Sequence, residues 1–149
     1  MIRAAKFIGG FAVAATLALT ALSSGAMADD KDVIDYREHI MKTLDEQTAA
    51  IGQIVSGAIP DAQIVAHVEA IALAAKQAQK SFEAKVVGGE AKPEVWSNAA
   101  DFNAKMTDFV VRTEKLAKDA KTGGATVVME EMVDALTCKG CHDVYRNKK

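Results

Sequence analysis

The chain has 149 residues, 50% of them hydrophobic and 26% charged, with 18 Lys and Arg against 20 Asp and Glu. That balance, with no basic cluster, argues against a nucleic-acid partner, and the length fits a single domain with its own core. The only two cysteines lie three positions apart, and the loop they could close is too short to be a useful structural staple.

The N-terminal stretch reads as a leader. "MIRAAK" carries two positive charges, "FIGGFAVAATLAL" is apolar, and "SSGAMA" offers small residues at Ala26 and Ala28. This is the pattern of a secretory signal with an A-x-A-like site, cleaved after Ala28. A membrane-anchoring helix is the alternative, but the apolar run falls short of the roughly 20 residues a span requires, and Gly9 and Gly10 interrupt it. Cleavage removes Arg3 and Lys6 and leaves residues 29–149, with 16 Lys and Arg, 20 Asp and Glu, and a formal charge of −4. Export implies an oxidising compartment.

Prolines and glycines divide the remainder into four segments, residues 32–56, 61–86, 94–122 and 125–147. The breaks fall at Gly57 and Pro60, at Gly88-Gly89 and Pro93, and at Gly123-Gly124. Each segment is rich in Ala, Lys, Glu, Gln and Met, which favour helix. Each also carries an apolar stripe at helical spacing. In the first it runs through Val33, Ile34, Ile40, Met41, Leu44, Ile51 and Val55, and in the second through Ile64, Val68, Ile71, Ala75 and Phe82. The third offers Phe102, Met106, Phe109, Leu116 and Ala120, and the fourth Met129, Met132, Val133 and Leu136. Four amphipathic helices with short connections predict an all-α, antiparallel four-helix bundle. Gly52 would mark a close helix crossing, and Trp96 and Phe102 would be packing residues.

The last segment holds Cys138-Lys139-Gly140-Cys141-His142. On one helix, positions three and four apart share a face, with about 5–6 Å between neighbours. A porphyrin with two reactive vinyl groups needs two thiols at such a spacing and an imidazole nearby to reach its iron. Val128, Ala135 and Tyr145 would border the motif on the same side. A tetrahedral zinc site usually takes four ligands, or three plus water, and His39 and His67 form no second cluster. A thioredoxin-like dithiol expects surrounding strands, and no segment alternates with period two. Covalent haem c through Cys138 and Cys141 is the reading that fits best.

With these residues in place, the chain resembles the class II c-type cytochromes, the cytochrome c′ and cytochrome c-556 group. "CKGCHDVYR" matches their haem motif, "YREHIMK" their first helix and "AKPEVWSNAADF" the opening of their third. The resemblance implies one haem within a four-helix bundle, often dimeric, with His142 as the proximal iron ligand. It also places the residue five after the tyrosine of "YR" on the distal side. In cytochromes c′ that residue is usually a non-ligand such as leucine, and the iron binds CO or NO. In the c-556 branch it is methionine, and here it is Met41.

Met41 lies on the apolar stripe, and Met/His ligation raises a haem potential toward electron transfer. Met106, Met129 and Met132 are its rivals. Arg37, one turn earlier, is expected either to meet a haem propionate or to snorkel to solvent. Arg146 would lie near the haem edge or serve a basic helix end, and Tyr36 would face a subunit interface. The expected function is therefore a non-enzymatic periplasmic electron carrier. Its iron would be held by His142 and Met41, it would serve periplasmic redox proteins, and it could form a homodimer. A five-coordinate, CO- or NO-binding cytochrome c′ is the alternative. A dithiol oxidoreductase is the third reading.

Overall fold

The computed structural model describes residues 28–148. The expected leader falls almost wholly in residues 1–27, outside that range. The first helix, α1 (Asp30–Val55), starts where Asp29 caps it: Oδ1 accepts the amide of Asp32 at 2.8 Å. Asp30 and Asp32 in the first turn suit the positive end of the helix dipole. After Pro60 a single 3₁₀ turn (Asp61–Gln63) leads into α2 (Ile64–Ser81). An irregular connection follows, and Pro93 opens the one-turn helix α3 (Glu94–Ser97).

The long helix α4 (Ala99–Ala135) is two arms joined at Gly124, where φ is 57° and ψ is −146°. That backbone geometry is open essentially to glycine alone. The chain folds back there, so that Lys115 pairs with Glu131 at 2.8 Å and the Arg112 guanidinium donates to the Asp134 carbonyl at 3.0 Å. A second break comes at Leu136 (φ −101°, ψ 60°) and Thr137 (φ −77°, ψ 43°). The last helix, α5 (Cys138–Tyr145), is therefore separate and only 8 residues long. The expected fourth helix over residues 125–147 is two pieces, with the cysteine-histidine motif on the second.

α1, α2 and the two arms of α4 form the antiparallel four-helix bundle. Among the described residues the only β-type pairings are the isolated bridges Gly88–Ala91 and Ala91–Arg146. No described helix is long and apolar enough to cross a membrane. One core cluster joins Ile51 and Ile54 of α1 to Ile64, Val68 and Ile71 of α2, and to Leu116, Ala120, Val128 and Ala135 of α4. Burying each of the larger side chains contributes about 1.5–3 kcal/mol. A second cluster gathers Ile40, Ala78, Val95, Phe102, Met106 and Tyr145 around α5.

The fourth stripe shifts from its expected phase. Val128 and Ala135 are buried, whereas Met129 and Val133 are exposed at 55% and 77%. The short second arm packs on one side only, which leaves room for one narrow stripe. Gly52 marks no close crossing, since a Cβ there would meet nothing within 4 Å. α2 packs extensively on both α1 and α4, while α1 and α4 touch little. Their shared seam stays open at the α5 end.

Candidate functional site

That open seam is a cleft of about 840 Å³, within the range of small-molecule and cofactor sites. α1 contributes Ile34, Met41 and Leu44 to its wall, and α4 contributes Phe102, Met106 and Phe109. α5 contributes Cys138, Cys141 and His142, so the two thiols and the imidazole of the motif face one space. The lining is mainly apolar, as a porphyrin face requires.

An 8-residue helix cannot hold its position by itself. α5 is fastened at its C-terminal end instead. The amide of Lys92 donates to the Tyr145 carbonyl at 3.0 Å, and that of Asn147 to the Glu90 carbonyl at 2.8 Å. The Tyr145 side chain is buried. Its hydroxyl donates to Asp101 Oδ2 at 2.5 Å and accepts from Asn98 Nδ2 at 3.1 Å. Its ring meets Phe102 edge to face at 5.1 Å. The Asp101 carboxylate holds the tyrosine proton and pushes its pKa up to about 12. Arg146 pairs with Glu90 at 2.6 Å on the rim. The anchoring role of Tyr145 and the 88–92 segment was not foreseen; the Gly88-Gly89 pair signalled only a break. A Cβ on Gly88 would stand 2.6 Å from Ile34 Cδ1, so this glycine lets the connection lie against α1.

The electrostatics of the motif do not favour thiol redox chemistry. Burial pushes the thiols of Cys138 and Cys141 upward, whereas a reactive dithiol needs a depressed one. The two thiols are not bridged. Burial first, and the charge of Arg146 second, lower the pKa of His142 and favour the neutral imidazole that binds metals. Among the described residues no three His, Cys, Asp or Glu side chains gather as a metal site.

The other expected residues sort by position. His39 is exposed, and His67 pairs with Gln47 at 2.7 Å and does not line the cleft. Met129 is exposed and Met132 packs on the other core, so only Met41 and Met106 among the four methionines line the cleft. Met41 is half-buried on α1, and Met106 is buried beside Phe102 and Ile40. Tyr36 is 54% exposed. Trp96 and Phe102 do pack around the second core, and the Trp96 indole also donates to the Phe82 carbonyl at 3.2 Å.

Arg37 is 4% exposed, so it does not snorkel. The partner a buried guanidinium needs is main chain, which corrects the argument that burial calls for a propionate. Nε donates to the Ser81 carbonyl at 2.9 Å, Nη1 to Val86 at 2.6 Å and Nη2 to Ala84 at 2.9 Å. The rings of Phe82 and Trp96 each lie 5.1 Å from its Cζ.

Residues 32–146 match the family described as Cytochrome C′. Cytochrome c′ of Alcaligenes xylosoxydans xylosoxydans is 32% identical over 125 residues, covering 82% of this chain and 98% of the relative. Cytochrome c-556 of Agrobacterium tumefaciens (strain apple 185) is 34% identical over 125 residues, covering 77% and 94%. Among solved structures, the nitric oxide complex of a point mutant of cytochrome c prime from Alcaligenes xylosoxidans superposes with a TM-score of 0.76 at 32% identity, covering 83% of this chain and 99% of that one. Cytochrome c prime from Shewanella frigidimarina gives 0.73 at 28%, covering 82% and 99%. The family binds one covalent haem c, and Cys138 and Cys141 fit its attachment motif. By sequence, fold and motif, the chain is a mono-haem class II c-type cytochrome and belongs to the cytochrome c′ family.

Proposed function

We propose that this cytochrome is exported to the periplasm and binds a small diatomic ligand such as NO or CO at its haem iron. The bound group would supply an iron that changes oxidation state and accepts axial ligands. Cys138 and Cys141 would anchor it to α5, and His142 would hold the iron as a neutral imidazole. The carrying observation is that all three line one mainly apolar cleft between α1, α4 and α5. Phe102 and Phe109 on α4 add aromatic surface to its wall. The solved relatives include cytochrome c prime variants with nitric oxide and with carbon monoxide bound, which supports the gas-binding reading.

One observation favours a second reading, the low-spin electron carrier. Met41 lines the same cleft, half-buried, on α1. A thioether there could take the sixth position, and retention of both axial ligands would keep structural change on electron transfer small. The relatives named cytochrome c-556 belong with this reading. Docking to periplasmic redox proteins would follow from it. A homodimer with the exposed Tyr36 in its interface is a separate proposal, tested by sedimentation velocity.

Spectra of the purified holoprotein, ferric and ferrous, with and without CO, decide between the two. High-spin spectra and ready CO binding support the gas-binding proposal. A low-spin ferric form with a far-red sulfur-to-iron band that refuses CO overturns it in favour of the carrier. In that case Met41→Ala should convert low spin to high spin and admit CO.

A further inference from the structure

α1 runs along the cleft, with Arg37 and, one turn on, Met41 both in its wall. Facing that turn is the irregular connection between α2 and α3, which includes the cleft residues Phe82, Gly88 and Ala91. The start of this connection has few main-chain bonds of its own: Phe82 to Gln79, Glu83 to Lys80 and Val86 to Ala84. Arg37 supplies much of what is missing. Its three bonds to Ser81, Ala84 and Val86 tie the connection to α1, and the rings of Phe82 and Trp96, themselves in contact, both lie against the guanidinium. One turn earlier on α1, Ile34 is pressed against Gly88. The stretch of α1 that presents Met41 is therefore fixed by the connection, through a side chain that is 4% exposed.

We infer that Arg37 is a positioning residue for the distal side of the cleft: by clamping residues 81–86 to α1 it sets how far Met41 intrudes into the space lined by His142. The inference rests on the haem reading above but not on the choice between its two forms. If the Met41 sulfur binds the iron, a looser α1 releases it more readily. If it does not, a looser α1 crowds the entering ligand less. Both cases raise the affinity for an exogenous ligand. Lysine cannot substitute, because one ammonium cannot fork to three separated carbonyls.

The test is the CO affinity of the ferrous holoprotein in Arg37→Lys, with amide exchange across residues 82–91 as a second readout. The expected result is a rise in CO affinity of about fivefold or more, the lower end of typical coupling between linked sites, together with faster exchange in that segment. Trp96→Phe, which removes the indole bond to the Phe82 carbonyl, should give a smaller rise of the same sign. Val68→Ala, buried in the other core cluster, controls for lost stability and should leave CO affinity unchanged. In a Met41→Ala background the effect of Arg37→Lys should largely vanish, because the two act through one contact. Unaltered CO affinity in Arg37→Lys overturns the inference, as does an equal rise in Val68→Ala or a full effect persisting without Met41. Should Arg37→Lys not fold with haem, Trp96→Phe decides alone. A wild-type protein without covalent haem is a different failure, that of the cytochrome reading itself.

Discussion

Two glycines with the same empty surroundings should respond to alanine with opposite signs. A Cβ at either Gly52 or Gly124 would meet nothing within 4 Å, so neither substitution creates a clash. Gly52 lies inside α1, where replacing glycine by alanine gains about 0.5–1 kcal/mol. Gly124 sits at φ 57° and ψ −146°, a region that costs a non-glycine residue about 1–3 kcal/mol. The lower entropy of the unfolded alanine chain returns about 0.4–1 kcal/mol. The net expectation for Gly124→Ala is a loss of about 1–2 kcal/mol, or roughly 4–8 °C in Tm for a domain of this size. Urea unfolding of the holoproteins, followed by far-UV circular dichroism, measures both variants. A Gly124→Ala protein as stable as wild type would refute the reasoning. It would mean that the two arms of α4 can reverse direction through an ordinary backbone conformation.

Ile71→Ala, at a fully buried site in the first core cluster, should cost about 2–5 kcal/mol in urea unfolding. The single variant Cys141→Ser should retain haem through one thioether link, whereas the double variant with Cys138→Ser should release it into acid acetone. Tyr145 carries a pH signature. Its folded pKa is raised from 10.0 to about 12, so its contribution to stability is complete below pH 10 and is lost as pH rises toward 12. Tyr145→Phe should therefore be less stable at neutral pH and show a flatter alkaline limb; identical wild-type and variant limbs would remove the Asp101 contact as its cause.

The helices and their order were legible because proline and glycine mark most breaks and the apolar stripes have helical period. The haem motif was legible because its chemistry sits in five consecutive residues. The break at Leu136-Thr137 was not, since neither residue is a breaker. Tertiary demand imposes it: Ala135 belongs to the first core cluster, while Tyr145 must reach the second. Arg37 was flagged as a charge on an apolar stripe, but periodicity cannot show that a distant connection will bring it three carbonyls. The candidate distal methionines fell from four to two only once the cleft was defined, because the phase of a stripe does not say which core it faces.

The separation of α5 from α4 bears on maturation. A helix below the ~12–15 residues that hold together unaided depends on its fastenings, here the strand-like pairing with residues 90–92 and the plug formed by Tyr145. Without a porphyrin joined to them, the cysteines are held against the cleft by these ties and by the Arg146–Glu90 pair. Release of α5 at Leu136-Thr137 would bare both sulfurs while the first core cluster, which holds no α5 residue, stayed packed, and two thioether links would close that route.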